Sequence, residues 1–206
     1  MSRVCVVTSK ARAYYSLVSR LRRAELPFAS MVPGSDYREC ALILTTSEEA
    51  SAIGPRAVAL EDLDENPGVF KGQIISRLGA VDDAVFVGVD PGKRIGLAVF
   101  YAETKLAFNT FESVAALCAR VGAFGAGLPR SRFVVRIGNG NRGLAGRLAE
   151  ALKRTVPHAT IEVVDEAGTS TRTPKMKGVQ GDQGAAARIA FRKGEVVSSG
   201  RPRNSG

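Results

Sequence analysis

The segment 85–100, VFVGVDPGKRIGLAVF, constrains the fold of this chain more than any other. Its first half is a short run of strand-forming apolar residues that fits a buried strand and ends on Asp90. The Pro-Gly pair that follows predicts a tight turn, and residues 95–100 predict a second strand running back. We therefore expect a carboxylate where a central strand meets a hairpin, and burying it is costly without a compensating cation or hydrogen bond. The alternative is that Asp90 only caps the turn, because Asp-Pro-Gly is common turn chemistry.

Basic charge is concentrated in the part of the chain that begins with this segment. Residues 1–82 contain ten Lys or Arg and ten Asp or Glu, whereas residues 83–206 contain nineteen and ten and so carry the whole net charge of +9. Such one-sided basicity favours a polyanionic partner, most often nucleic acid, over a charge that only promotes solubility. The single histidine, His158, argues against a His-rich zinc site or a His-driven triad, which directs any catalysis to carboxylates.

Cysteine usage and apolar run lengths predict a cytoplasmic protein. Cys5, Cys40 and Cys118 are widely spaced and odd in number, so we expect reduced, mostly buried thiols rather than a disulfide framework or a metal site. No apolar run is long enough to span a bilayer, and the N-terminal residues lack the layout of a signal peptide. We expect no membrane partner.

Two domains and a tail are expected from the order of predicted elements. Residues 1–82 alternate short strands with helices, which predicts a small α/β domain whose role is unassigned. Residues 83–197 predict three antiparallel strands, then a helix, a strand, a helix, a strand and a final helix, which is a mixed sheet flanked by helices. Residues 198–206 are rich in Ser, Gly, Arg and Pro and predict a flexible basic tail.

Four acids are expected at one edge of this second sheet. Asp90 ends the first strand, Asp165 and Glu166 follow the last strand, and Asp182 opens the final helix. At about 4 Å and an effective dielectric near 20, each pair of carboxylates would cost about 4 kcal/mol. Either their pKa values rise or a divalent cation lies between them, and oxygen-only ligands favour Mg²⁺ or Mn²⁺. Strand-end polarity and the helix dipole are the alternative explanations for the last three acids.

Polar and basic residues in the neighbouring turns are expected to contact phosphates. The predicted nucleic-acid-binding residues are Lys93, Arg94, Arg136, Asn139, Arg142, Arg172, Lys175 and Lys177.

Three motifs carry a resemblance to a known family. Residues 88–98 (GVDPGKRIGLA), 164–171 (VDEAGTST) and 177–187 (KGVQGDQGAAA) resemble segments of the YqgF/RuvX family and, more distantly, of RuvC. The similarity covers about residues 84–194. It implies a ribonuclease H-like fold, which has the element order predicted above, and a metal-dependent endonuclease that resembles Holliday junction resolvases or that acts on structured RNA such as ribosomal precursors.

The resemblance also implies a site and a mechanism. By matching position, the catalytic, metal-binding acids would be Asp90, Glu166 and Asp182. Two ions can clamp the attacking and leaving oxygens of an in-line phosphoryl transfer. The implied partner is branched DNA or structured RNA, and a homodimer is left open.

Two other classes compete with a nuclease. A nucleic-acid-binding module of the same fold with weak or no catalysis accounts for the same basic charge. A sugar-kinase- or actin-like ATPase also carries an Asp-x-Gly hairpin, but such proteins duplicate the fold, and the chain after residue 83 is too short for two halves.

Overall fold

A boundary between residues 82 and 83 divides the chain into two units, Met1–Asp82 and Asp83–Gly206. The computed structural model describes residues 3–79, 83–165 and 182–197. The predicted tail, 198–206, lies outside the described residues. The expectation of an α/β protein with sheets flanked by helices is confirmed. Within the described ranges, no helix combines the length and the apolar character needed to cross a membrane.

The N-terminal unit contains a four-stranded parallel sheet in the order β2-β1-β3-β4. Its elements are β1 (Arg3–Val7), α1 (Ala11–Arg23), β2 (Ala29–Met31), β3 (Cys40–Thr45), α2 (Ser47–Ile53), β4 (Ala57–Ala59), a 3-10 turn (Leu60–Asp62) and α3 (Pro67–Arg77). The helix α3 begins where sequence signals place it, because Pro67 follows Asn66, whose side chain accepts hydrogen bonds from the next two free N–H groups.

Alternate residues of β1 enter two different cores. Val4 and Val6 pack in one cluster with Leu17 of α1 and Phe70 of α3. Cys5 lies in a second cluster, on the other side of the strand. This division follows from the period of two along a strand, and it explains why β1 is apolar throughout.

The expectation that Cys5 and Cys40 are reduced thiols is wrong in this structure. The two cysteines form a disulfide, although 35 residues separate them in sequence. Their strands, β1 and β3, are parallel neighbours, and this pairing brings the two Cα atoms to 5.8 Å, a usual distance for a disulfide. Cys118 is free and half-buried.

A hydrogen-bonded carboxylate, Glu49, joins the loops that follow β1 and β3. It accepts hydrogen bonds from the backbone N–H of Ser9 (2.8 Å) and the hydroxyl groups of Thr8, Ser9 and Thr46. Thr46 stands at the N-cap position of α2, but its hydroxyl group donates to Glu49 and does not cap the helix. Burial opposes ionisation of Glu49, yet these hydrogen bonds outweigh it and hold its pKa at about 2, below the ordinary 4.5.

Glu49→Gln should therefore destabilise the N-terminal unit at neutral pH. Because the folded-state pKa is depressed, the stabilisation is complete above pH 4.5 and is lost as the pH falls through about 2. We expect a loss of the order of 2 kcal/mol at pH 7, discounted for the partial exposure of the carboxylate. Urea unfolding at pH 7 and at pH 3 measures it. The difference between the wild type and the variant should shrink at the lower pH, and a constant difference would contradict the assignment.

The C-terminal unit contains a six-stranded mixed sheet in the order β10-β9-β8-β5-β6-β7. Its elements are β5 (Ala84–Pro91), β6 (Ile95–Tyr101), β7 (Thr104–Phe111), α4 (Val114–Gly127), β8 (Arg132–Gly138), α5 (Arg142–Thr155), β9 (Thr160–Val164), α6 (Asp182–Ala190) and β10 (Glu195–Val196). The strands β5, β6 and β7 are antiparallel neighbours, β8 and β9 run parallel to β5, and β10 is antiparallel to β9.

The first strand of this unit, β5, lies in the middle of the sheet. It is bonded to β6 on one side and to β8 on the other, and most of its residues are buried. At its start, the side chains of Ser131 and Tyr101 donate hydrogen bonds to Asp83 and lower the pKa of this carboxyl group. The central position explains why residues 85–89 are apolar without alternation.

Candidate active site

Asp90 is the last polar residue of β5 and is half-buried. It pairs with Gly96 of β6 across the hairpin, and its carbonyl oxygen accepts a hydrogen bond from the N–H of Gly92 (3.0 Å). A Cβ atom at Gly92 would lie 3.2 Å from the carbonyl oxygen of Arg94, so the turn favours glycine there. This local geometry sets Asp90 at the mouth of a tight turn, as the sequence predicts.

The side of the sheet that Asp90 occupies follows from the alternation along β5. Phe86, Gly88 and Asp90 share one face because they are two residues apart. That face is covered by α6, since Phe86 packs against a cluster that contains Ala186 and Ala190 of this helix. Asp90 therefore belongs to the α6 face of the sheet.

Gly88 allows the backbone of α6 to touch the sheet two residues before Asp90. A Cβ atom at Gly88 would lie 1.9 Å from the carbonyl oxygen of Ala186 and 2.7 Å from the N–H nitrogen of Ala190. The helix begins at Asp182, one turn before Ala186. Only the backbone of Asp182 belongs to the described part of the chain, and Glu166 lies outside it.

The ends of β8 and β9 meet beside one another. Gly138 pairs with Val164, and the N–H of Asn139 donates to the carbonyl oxygen of Val164 (3.0 Å). Asn139 and Asp165 line one cleft of about 420 Å³. The structure thus brings together two predicted site residues, one after each strand.

The same cleft contains residues that sequence reasoning missed. Lys193, Gly194 and Glu195 line it together with Asn139 and Asp165. They come from the turn after α6 and from β10, a two-residue strand too short to give a periodic signal. A cation and an acid therefore flank the cleft from a segment to which no function was assigned.

The prediction that Arg136 contacts phosphate is corrected by the structure. Its guanidinium lies among protein groups, with the side chain only 11% exposed. It pairs with Glu162 (2.8 Å), donates to the carbonyl oxygen of Ala190 at the end of α6 (2.6 Å) and lies over the ring of Phe86. Arg136 and Glu162 are direct partners in the register of β8 and β9, so a charge in the interior of each of two apolar strands was the signal for this pair.

Other predicted phosphate contacts are exposed. Lys93 and Arg94 lie in the turn after Asp90, and Arg142 is the first residue of α5, behind the cap formed by Asn141. Both groups follow the carboxyl ends of strands. The remaining members of the predicted set lie outside the described residues: Arg172, Lys175 and Lys177.

The donor chemistry of the predicted acids suits a hard divalent cation. Asp90 and Asp165 offer only carboxylate oxygens, as Mg²⁺ and Mn²⁺ prefer. Within residues 3–79, 83–165 and 182–197, no group of three or more His, Cys, Asp or Glu side chains is arranged to hold a metal ion. Glu166, one of the two predicted acids after β9, lies outside these ranges.

No protein-family model and no curated protein matches this chain.

Proposed function

We propose that residues 83–197 form a ribonuclease H-like, metal-dependent endonuclease that acts on branched DNA in the manner of Holliday junction resolvases. The proposal includes Mg²⁺ or Mn²⁺ held by Asp90, Glu166 and Asp182, with Asp165 beside them. It rests on motif resemblance and on the geometry of the α6 face.

One observation carries the proposal. Asp90 ends the central strand of the sheet on the face against which α6 packs, and the contact at Gly88 lies two residues before Asp90 and one turn after Asp182. The sheet order supports it, because β5, β6 and β7 are antiparallel and β8 and β9 are parallel to β5, as in the expected fold. If Asp90 served only to cap the turn, there would be no need for the backbone of α6 to contact the strand two residues before it.

In the proposed reaction, one group of residues would bind the metal and another would bind the substrate. Bound metal would activate water and stabilise the attacking and leaving oxygens of a phosphodiester. Asp90 would bind the metal ion at a half-buried position, where solvent screens the charge of the ion less than at the surface. Lys93 and Arg94, exposed in the adjacent turn, would orient the phosphate groups of the substrate.

Replacing Lys93 and Arg94 together by Gln should weaken binding to all DNA sequences alike. Each phosphate contact to duplex DNA contributes about 0.9 to the log–log slope of affinity against salt, so the slope should fall by about 1.8. Fluorescence anisotropy in the absence of metal measures it. The matched control is Arg147→Gln with Arg154→Gln, two basic positions on α5 away from the hairpin. An unchanged slope would assign the turn to another task.

The test of the proposal is a cleavage assay with four substrates and Mn²⁺. The purified chain is incubated with a four-way DNA junction, the corresponding linear duplex, a single strand and a structured RNA. Cleavage of the junction alone supports the proposal. Cleavage of the RNA alone would redirect it to RNA processing, and tight binding without cleavage of any substrate would leave a nucleic-acid-binding module.

A further inference from the structure

The outer face of α1, in the N-terminal unit, carries cations and an aromatic ring. At 100° per residue, most of its exposed side chains fall within an arc of about 100°. Four of them, Arg12, Tyr15, Arg22 and Arg23, share this arc, and we call them the α1 outer face; of the other exposed residues, Ala11 lies at its edge and Tyr14 about 80° outside it. The opposite side of the helix is buried through Leu17 and Leu21. The helix contains no Asp or Glu, so the face has one sign of charge in a unit whose total charge is zero.

The three arginines of this face are Arg12, Arg22 and Arg23. In the described part of the chain, no carboxylate forms an ion pair with any of them. Arg20 differs, because its guanidinium donates to the carbonyl oxygen of Leu63 (2.8 Å). Arg12 is in the first turn, where the helix dipole disfavours a cation, so helix stability does not explain its presence.

Tyr15 is exposed without a structural role in the described residues. It is 77% exposed, and no hydrogen bond or ring contact to another described residue involves it. The neighbouring Tyr14 is 40% exposed, and its hydroxyl group bonds to that of Ser30 (2.8 Å). The difference singles out Tyr15 as a ring that is available to a ligand.

We propose that the α1 outer face binds single-stranded nucleic acid, with Tyr15 stacking on a base and the arginines contacting phosphates. Arg12 and Arg23 are separated by about 16 Å along the helix, a span that covers several nucleotides. An exposed ring beside cations suits unpaired bases, whose faces a duplex hides. A membrane-surface helix would carry several large apolar residues on its exposed face, and this face has only Tyr15. This inference is independent of the proposed nuclease.

The first test compares Tyr15 variants of the full chain. Affinity for a fluorescein-labelled oligothymidylate of about 20 nucleotides is measured by anisotropy in EDTA, so that no cleavage occurs. Tyr15→Ala should weaken binding about tenfold, and Tyr15→Phe should retain it, because the stacking surface survives. Tyr14→Phe is the matched control at the adjacent position and should bind as the wild type does.

The second test compares charge variants. Arg22→Gln with Arg23→Gln should lower the salt slope on the oligonucleotide by about 1.4, or about 0.7 per phosphate contact. Arg3→Gln with Arg38→Gln removes the same charge from exposed residues that already pair with Glu39 and Asp36, and should leave the slope unchanged. Melting temperatures of all variants exclude loss of folding as the cause.

Three results would overturn the inference. The first is that Tyr15→Ala binds the oligonucleotide as tightly as Tyr14→Phe. The second is that the two pairs of charge substitutions lower the salt slope equally. The third is that the variants bind the oligonucleotide normally but lose binding to anionic lipid vesicles in a sedimentation assay, which would assign the face to a membrane surface. A failed junction-cleavage assay leaves these measurements unaffected, because they need neither metal nor Asp90. The inference and the proposed nuclease therefore fail separately.

Discussion

Asp90→Asn should lower single-turnover cleavage by orders of magnitude while binding to junction DNA survives or tightens. Asparagine preserves the shape of the side chain but removes one ligand charge, and metal activation shifts the pKa of bound water by several units. Binding should survive or tighten, because the substitution removes a negative charge that repels the phosphate groups of the DNA. Asp90 is half-buried at the end of β5, where solvent screens its charge less than at the surface, so loss of this charge should have a large effect on metal binding.

Three measurements on this variant separate the possible roles of Asp90. A metal ligand predicts lost cleavage with an unchanged melting temperature and retained affinity. A turn cap predicts a lower melting temperature, with cleavage and binding falling together. Glu103→Gln, at the exposed turn of the next hairpin, is the charge-matched control and should cleave as the wild type does. Wild-type cleavage by Asp90→Asn would refute the catalytic assignment.

Arg136→Met should destabilise the C-terminal unit by about 3–5 kcal/mol. The substitution leaves the Glu162 carboxylate, whose side chain is 14% exposed, without its ion-pair partner. It also removes the donor to the carbonyl oxygen of Ala190, at the end of α6. Urea unfolding, followed by a probe in this unit, measures the loss.

The double variant Arg136→Met with Glu162→Leu tests the cause. Replacing both charges by apolar groups should recover most of the stability, because neither charge is then buried alone. Recovery should be incomplete, since the N–H of Gly194 loses its acceptor on Glu162 (3.1 Å). If Arg136→Met instead lowered DNA affinity at unchanged stability, Arg136 would return to the phosphate-binding set.

Local patterns account for much of the candidate site. The apolar run, the Pro-Gly turn and the returning strand predict the hairpin around Asp90, and the observed strands β5 and β6 match it. These features depend on residues close in sequence, where turn chemistry and periodicity are decisive. The expected acids at 166 and 182 remain predictions, because their side chains lie outside the described part of the chain.

The sequence by itself determined the alternation of strands and helices, the acid at the end of β5 and the uniform charge of the α1 outer face. Tertiary structure decided which side chains, distant in sequence, form pairs. Arg136 meets Glu162 because the two residues are register partners in β8 and β9, and Cys5 meets Cys40 because β1 and β3 are parallel neighbours whose register shifts between Arg3 and Val4. Neither pairing is encoded in local spacing, since a shift of one residue in register would turn each side chain to the other face of its sheet.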